Sequence, residues 1–481
     1  MTKRRLASSG FVAALLVARV SGAQSEFVAQ PDSPQWLKDR QYNEGAGVRT
    51  GDLELHPGIA GEMGYDSNWF LRTDKSGGYV NGPPIAPIVP ALEFRVTPSL
   101  YLSTIGPQRR QDDLVAEPPS VAFRAGVNAT YREFVGLANN NGPANDISQQ
   151  RNIGGAADAR LDILPQKPLG ASLYASYARI IQPNVGAADP NLSFNRDDVT
   201  AGGEIITQPG SGTLDWRFGY RFRDSIFEEQ EGQPFDNITN EGYTRGRWRF
   251  RPRTALIYDA TLGFVTYVNG AQALSTMGLV NSTPVRARIG LNGLVTDRFA
   301  VTGMVGWGAS FYDTSTLKAA PQYDSVIGQA ELKWFLSASP GIAAASDVGL
   351  ALSSIAVGYT RDFQNSYIGN YYGLDRGYLR FSYFFAGRAL VTLEGGVGAV
   401  EYPNILWGDG VLRQSAFTDT RVDATLFSEY RLTNALGINA TLRYTANYSN
   451  VAISTVETGP PQPFAMSWNR FEAFLGLRYF L

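Results

Sequence analysis

Trp468-Asn469-Arg470-Phe471-Glu472-Ala473-Phe474-Leu475-Gly476-Leu477-Arg478-Tyr479-Phe480-Leu481 is the stretch that decides the fold class. Every second residue counted back from the end (Leu481, Tyr479, Leu477, Leu475, Ala473, Phe471) is apolar. The opposite face carries Arg470, Glu472, Gly476 and Arg478. A period of two places these sets on opposite sides of a β-strand. Chain ends usually fray and are polar. A strand with lipid on one side and water on the other requires the pattern seen here.

The two segments before it repeat the pattern. Val422, Ala424, Leu426, Ser428, Tyr430 and Leu432 form one face, against Arg421, Asp423, Thr425, Phe427, Glu429 and Arg431. Leu436, Ile438, Ala440, Leu442, Tyr444, Ala446 and Tyr448 follow, against Asn439, Thr441, Arg443, Thr445 and Asn447. Only Thr433-Asn434 separates them, a tight hairpin. Continued to the front of the chain, the count predicts about 18 strands, with 16 as the alternative. They fall near 53–66, 89–104, 120–135, 150–164, 169–182, 196–208, 212–227, 241–252, 254–268, 284–296, 298–312, 323–337, 347–362, 371–386, 388–402, 418–432, 434–449 and 468–481. Strands this long exceed the roughly 5–6 residues of soluble sheets, which argues against a sandwich or propeller. The expected fold is an all-β, transmembrane antiparallel β-barrel, whose closure leaves no free edges.

The connections give an independent check. Short links at Pro165–Pro168, Pro209–Gly212, Arg251–Arg253, Thr296–Arg298, Ala386–Arg388 and Thr433–Asn434 alternate with longer ones at 136–149, 183–195, 228–240, 269–283, 403–417 and 450–467. Short turns on the periplasmic side and long loops outside are expected, so both termini are placed in the periplasm. The links at 105–119 and 338–346 are long where this parity requires short ones.

The N-terminus reads as a secretory signal over residues 1–23. Lys3, Arg4 and Arg5 precede an apolar run from Leu6 to Val20, and Ser21-Gly22-Ala23 offers small residues for cleavage. That run is too short, and too interrupted by Arg19, for a membrane anchor. Residues 24–50 read as a short periplasmic segment, with one or two helical turns at Ser33-Pro34-Gln35-Trp36-Leu37-Lys38-Asp39-Arg40, and 51–481 as the barrel. Removing the signal takes away Lys3, Arg4, Arg5 and Arg19 and moves the formal charge from -2 to -6. No basic balance points to nucleic acid. Aromatics make up 12 % of the chain, and the mean hydropathy of -0.17 is that of a barrel whose lumenal half dilutes its lipid-facing half.

The densest polar feature is an arginine ladder. Arg245, Arg247, Arg249 and Arg251 alternate with Gly246, Trp248 and Phe250. Arg217, Arg221 and Arg223 alternate with Trp216, Phe218, Tyr220 and Phe222, and Arg286 and Arg288 with Val285, Ala287 and Ile289. Adjacent strands bring all nine guanidiniums to the lumenal side. Carboxylates at Glu62, Glu93, Asp158, Asp162, Glu204, Glu331, Glu394, Asp423 and Glu429 are expected on inward faces too. The ladder then either favours anionic or polyhydroxyl solutes or pairs with these acids to stiffen a wet wall. Catalysis has little to work with. There is no cysteine and one histidine, His56, expected at a turn or the barrel rim beside Pro57-Gly58. No catalytic residues, metal site or cofactor are expected, and acidic loop positions such as Asp236 and Asp409 carry no calcium motif. Trp69, Trp307, Trp334, Trp407 and Trp468 are expected in interfacial girdles. Lumenal Phe427, Phe474 and Phe480 are expected to pack the wall, with sugar stacking as the alternative.

Two motifs carry resemblances. Gly476-x-x-Tyr479-x-Leu481 resembles the C-terminal signal that assembly machinery reads in bacterial outer-membrane barrels. The stretch Gly51-Asp52-Leu53-Glu54-Leu55-His56-Pro57-Gly58, leading to Tyr65-Asp66-Ser67-Asn68, resembles the opening of the β-barrel porin-2-like outer-membrane proteins. The chain looks especially like the 18-stranded barrels of myxobacterial exopolysaccharide export. The resemblance implies a Gram-negative outer-membrane barrel, set in the lipid bilayer, that exports a surface polysaccharide with a periplasmic polysaccharide-export protein as partner. The readings kept beside it are a general diffusion porin or small-solute channel, and a structural barrel anchoring a surface or motility complex. Asp66-Ser67-Asn68 has the composition of an Asx turn ending the first strand.

Overall fold

The computed structural model describes residues 47–73, 88–104, 120–137, 147–165, 167–181, 195–209, 213–336, 353–385, 388–454 and 463–481. The expected signal, the helical turns at 33–40 and the two long links at 105–119 and 338–346 lie outside them.

Eighteen antiparallel strands form the barrel: β1 Leu53–Asp66, β2 Ala91–Thr104, β3 Val121–Gly136, β4 Asn152–Ile163, β5 Leu169–Ile180, β6 Arg196–Thr207, β7 Leu214–Phe227, β8 Asn237–Arg251, β9 Thr254–Tyr267, β10 Ser282–Leu294, β11 Phe299–Tyr312, β12 Tyr323–Phe335, β13 Ser354–Ser366, β14 Asn370–Phe385, β15 Ala389–Tyr402, β16 Phe417–Arg431, β17 Leu436–Tyr448 and β18 Trp468–Phe480. Each pairs with its neighbours in sequence, and β18 closes onto β1 from Gly58↔Phe480 to Asp66↔Glu472. Leu481 adds a hydrogen bond from its N–H to the Pro57 carbonyl at 3.0 Å. A three-residue strand, Val48–Thr50, folds back to pair antiparallel with Leu53–Leu55 of β1, beyond the end of the β1–β18 ladder. Among the described residues no helix is long and apolar enough to cross a membrane.

Alternation fixes what faces out. Ile59, Met63, Val127, Leu173, Ile205, Ile289, Val305, Leu332, Val357, Leu393, Leu475 and Leu477 are exposed on the outer wall. An apolar outer wall of this kind is suited to lipid, not water. Near the rim where β1 begins and β18 ends, Trp216 and Trp248 lie on this surface, and Phe299 stacks on Trp334 at 6.0 Å. Toward the far rim Tyr131, Tyr177 and Trp307 hydrogen-bond to Glu133, Asp197 and Asp324, as amphipathic rings do at a membrane interface. Trp307 and Trp334 therefore sit where expected. Trp69, Trp407 and Trp468 do not: all three are buried, Trp69 against Phe134 at 4.6 Å and Trp407 among the far loops. Position near a strand end does not fix which face a ring takes.

His56 also departs from expectation. It lies within β1, points inward and is fully buried, with Nε2 3.7 Å from Glu54 Oε2. The lumenal phenylalanines are packed as expected: Phe427 on Leu390, Phe474 under the Arg95 guanidinium at 3.8 Å. Phe480 lies under Arg478 at 5.6 Å. The turn after β1 is an Asx turn, with the Asn68 N–H donating to Asp66 Oδ1 at 2.9 Å.

The far rim is partly roofed. The ladder between β12 and β13 runs from Phe335↔Ser354 to Gly328↔Arg361 and stops there, although both strands continue. Beyond it the β13–β14 hairpin bends into the lumen. Its outer-face residues Phe363 and Tyr371 then rest on the inner face of β11 and β12: Phe363 stacks on Tyr323 at 4.3 Å, and Tyr371 stacks on Tyr312 at 5.7 Å. At the tip, Tyr367 packs on Phe227 and Phe235 at 5.4 and 5.2 Å, reaching β7 across the lumen. The helix Gly270–Met277 and the loop carrying Leu406 and Trp407 close in beside it.

Candidate functional site: a basic lumenal wall

Eight of the nine ladder arginines lie at inward positions on β7, β8 and β10; Arg251, beyond a register shift in the β8–β9 ladder, pairs with Thr254 on the outward face. Strands β7 to β10 offer three inward carboxylates, Asp215, Glu241 and Asp259. A cavity of about 470 Å3 lies against this wall and is lined by Arg160, Arg217, Arg221, Arg245, Arg247 and Arg288.

Glu204 on β6 is the hub. Its carboxylate accepts from Arg160 at 3.2 Å, Arg217 at 3.2 Å, Arg245 at 2.8 Å and the Tyr243 hydroxyl at 3.1 Å. Tyr243 reaches it because its ring lies over Gly219, where a Cβ would approach the ring to 2.2 Å. Tyr174 continues the chain with a 3.0 Å contact to the Tyr243 hydroxyl. One carboxylate holding three guanidiniums leaves a local excess of positive charge. The acid side chain is 1 % exposed, whereas Arg245 and Arg247 keep 37 % and 42 % of theirs open to the lumen. Elsewhere on the wall Arg217 and Arg247 share Asp215, Arg221 holds Glu241, Arg288 holds Asp259 at 2.9 Å and Arg286 holds Asp362 at 3.0 Å. Arg223, Arg249 and Arg251 make no ion pair among the described residues. Both readings of the ladder thus describe part of it. Six arginines are braced by acids, and the wall as a whole stays strongly basic.

Of the acids expected inward, Glu204 belongs to this wall and Asp162 reaches it through Arg160 at 2.7 Å. Asp158 sits two residues before Arg160 on the same inward face. Glu331, Glu394 and Asp423 form a second network with Arg376, Arg380 and Lys333 on β12 to β16. Glu429 pairs with Arg431 and Arg478 at 3.0 and 3.3 Å. Glu62 and Glu93 join the closing seam with Arg95. Asp215, Glu241, Asp259 and Asp362 were missed, though the same inward parity would have found them. Above the cavity, in the roof, Arg413 lies 4.2 Å over the Trp407 ring. Burial pushes it down to about 10, so it stays cationic at neutral pH.

No family model and no curated protein matches this chain. Solved structures do resemble it. Pseudomonas aeruginosa OccK5 (OpdH) is 9 % identical over 89 % of this chain and 98 % of its own, with a TM-score of 0.41. Pseudomonas aeruginosa OpdL is 11 % identical over 90 % and 99 %, with a TM-score of 0.42. Acinetobacter baumannii OccAB4 is 11 % identical over 89 % and 98 %, with a TM-score of 0.40. This likeness concerns barrel architecture, and nothing further about the chain follows from it.

Proposed function

We propose that this chain is a Gram-negative outer-membrane channel for small solutes, with a preference for anions. The observation that carries the reading is the imbalance on β7 to β10, where eight inward arginines face three carboxylates beside a lumenal cavity. A field of one sign inside low-dielectric walls raises the local concentration of the opposite charge. The leader over residues 1–23 delivers the chain to the periplasm, the end motif Gly476, Tyr479 and Leu481 presents it to the assembly machinery, and both termini stay on the periplasmic side. Tyr479 and Leu481 face outward and Gly476 inward, as the final strand's alternation requires.

Export of a surface polysaccharide, the expectation from resemblance, gains no support from the lumen. In the present arrangement the β13–β14 hairpin and the far loops pack across one mouth, which suits small solutes better than a polymer. Among the described residues no feature favours an anchoring barrel or engagement of a periplasmic export partner. The test is purified protein in planar bilayers under a salt gradient. The wild type should give a reversal potential of anion selectivity, and Arg245→Gln/Arg247→Gln/Arg249→Gln should move it toward zero. A channel that is cation-selective, or whose selectivity ignores the triple substitution, overturns the reading.

A further inference from the structure

The gap between β12 and β13 is a made feature. Splitting an antiparallel ladder leaves backbone N–H and C=O groups that must find partners. Side chains take them over on both edges. On β12 the Val326 carbonyl accepts from Arg361 Nε at 3.2 Å, and Arg361 is itself held by Asp375 at 2.6 Å. On β13 the Phe363 N–H donates to Asp362 Oδ1 at 2.8 Å, and the Phe363 carbonyl accepts from Arg286 Nη2. Arg286 also lies 4.0 Å over the Phe363 ring. The tip is fixed separately. Asn370, at φ 71°, accepts from the Val280 N–H at 3.0 Å and donates to the Gly278 carbonyl at 3.1 Å.

The sequence is equally suited to a closed wall. Extending the existing register pairs Ile327 with Asp362 and so on to Tyr323 with Ser366, which is where both strands end. In that register Phe363 would stand outward in a row with Val326 and Trp307, and Tyr371 would stand outward beside Asn365. Those are apolar and girdle positions. Asp362, Gln364 and Ser366 would face the lumen as polar residues. One sequence therefore satisfies two placements.

We propose that the hairpin from Asp362 to Leu374 is a gate with two seats. In the lumenal seat it narrows the far mouth and is held by Arg286, Asp362, Arg361 and Asn370. In the wall seat β12 and β13 zip along their full length and the mouth widens. A ligand or bilayer that favours one seat shifts the population between them. The movement stands apart from the channel reading; only its effect on conductance rests on it.

The chain has no cysteine, so engineered pairs report cleanly. Ser325→Cys/Gln364→Cys places thiols opposite one another only in the wall seat. Gln329→Cys/Thr360→Cys, opposite one another in the present ladder, is the control. In full-length protein in vesicles, mild oxidation should cross-link both pairs, the first more slowly. Adding Arg286→Gln/Asp362→Asn to the first pair removes charge-assisted hydrogen bonds from the lumenal seat and should raise its cross-linking rate about tenfold. A control that cross-links while Ser325→Cys/Gln364→Cys never does, with or without the added substitutions, overturns the gate. Conductance that rises on oxidising Ser325→Cys/Gln364→Cys and falls on reduction would tie the gate to flux. Cross-linking without a conductance change would keep the movement and overturn its role in flux.

Discussion

Two regions of the lumen are built from the same side chains and behave oppositely. At the closing seam Arg95, Arg132, Arg443 and Arg470 meet Glu62, Asp66, Glu93 and Glu472, four charges of each sign. Arg470 grips Asp66 through both carboxylate oxygens, and both side chains are 0 % exposed. On the basic wall the acids are fewer, and the arginines keep part of their side chains open to the lumen, Arg245 and Arg247 most of all. Balance and burial make the seam a structural joint. Excess and exposure make the wall a surface that a solute can feel. Counting arginines alone would not separate the two; counting their acids and their exposure does.

The contrast can be broken at its strongest point first. Arg470→Ala leaves Asp66 buried without its partner, and removing one member of a buried pair costs about 3–5 kcal/mol. Chemical unfolding in lipid vesicles should show that loss, while any surviving barrel keeps its ion selectivity. A shift in selectivity with unchanged stability would erase the distinction. Glu204→Gln stands between the two regions. It should cost about 1–3 kcal/mol, since three guanidiniums lose a charged acceptor, and should strengthen anion preference because it frees them. Weaker anion preference in that variant would mean Glu204 orders the wall more than it neutralises it. Arg249→Gln/Arg251→Gln should be nearly silent in stability, within about 0.5 kcal/mol, and still reduce anion preference measurably. Substantial destabilisation there would show that these exposed arginines also brace the wall.

Much of this was legible in sequence because lipid enforces alternation. The strand expected at 323–337 is Tyr323–Phe335, and that at 388–402 is Ala389–Tyr402. Legibility fails where lipid stops enforcing it. The strand expected at 347–362 is Ser354–Ser366, because Gln364, Asn365 and Ser366 read as a loop although they continue the hairpin inward. The first residues of β8, Asn237-Ile238-Thr239-Asn240, read as a loop for the same reason. The ladder's direction followed from parity; parity would also have placed Trp468 inward with Arg470, against the girdle expected for it. The hub at Glu204 did not follow from parity. It depends on Arg160 reaching across from β4 and on Tyr243 lying over Gly219, and neither contact has a periodic signature.

The seam has a further consequence for how the barrel comes into being. Arg470 and Asp66 stand 404 positions apart in the chain, so their pairing closes about the longest loop this protein contains. Contacts of such separation form late, because the entropy of closing the loop must be overcome before any bond rewards it. Until then β1 and β18 each present an open hydrogen-bonding edge and a desolvated charge without its counterpart. The joint that is strongest in the finished barrel is therefore the weakest place in the unfinished one, and its two halves have to be sheltered until they meet.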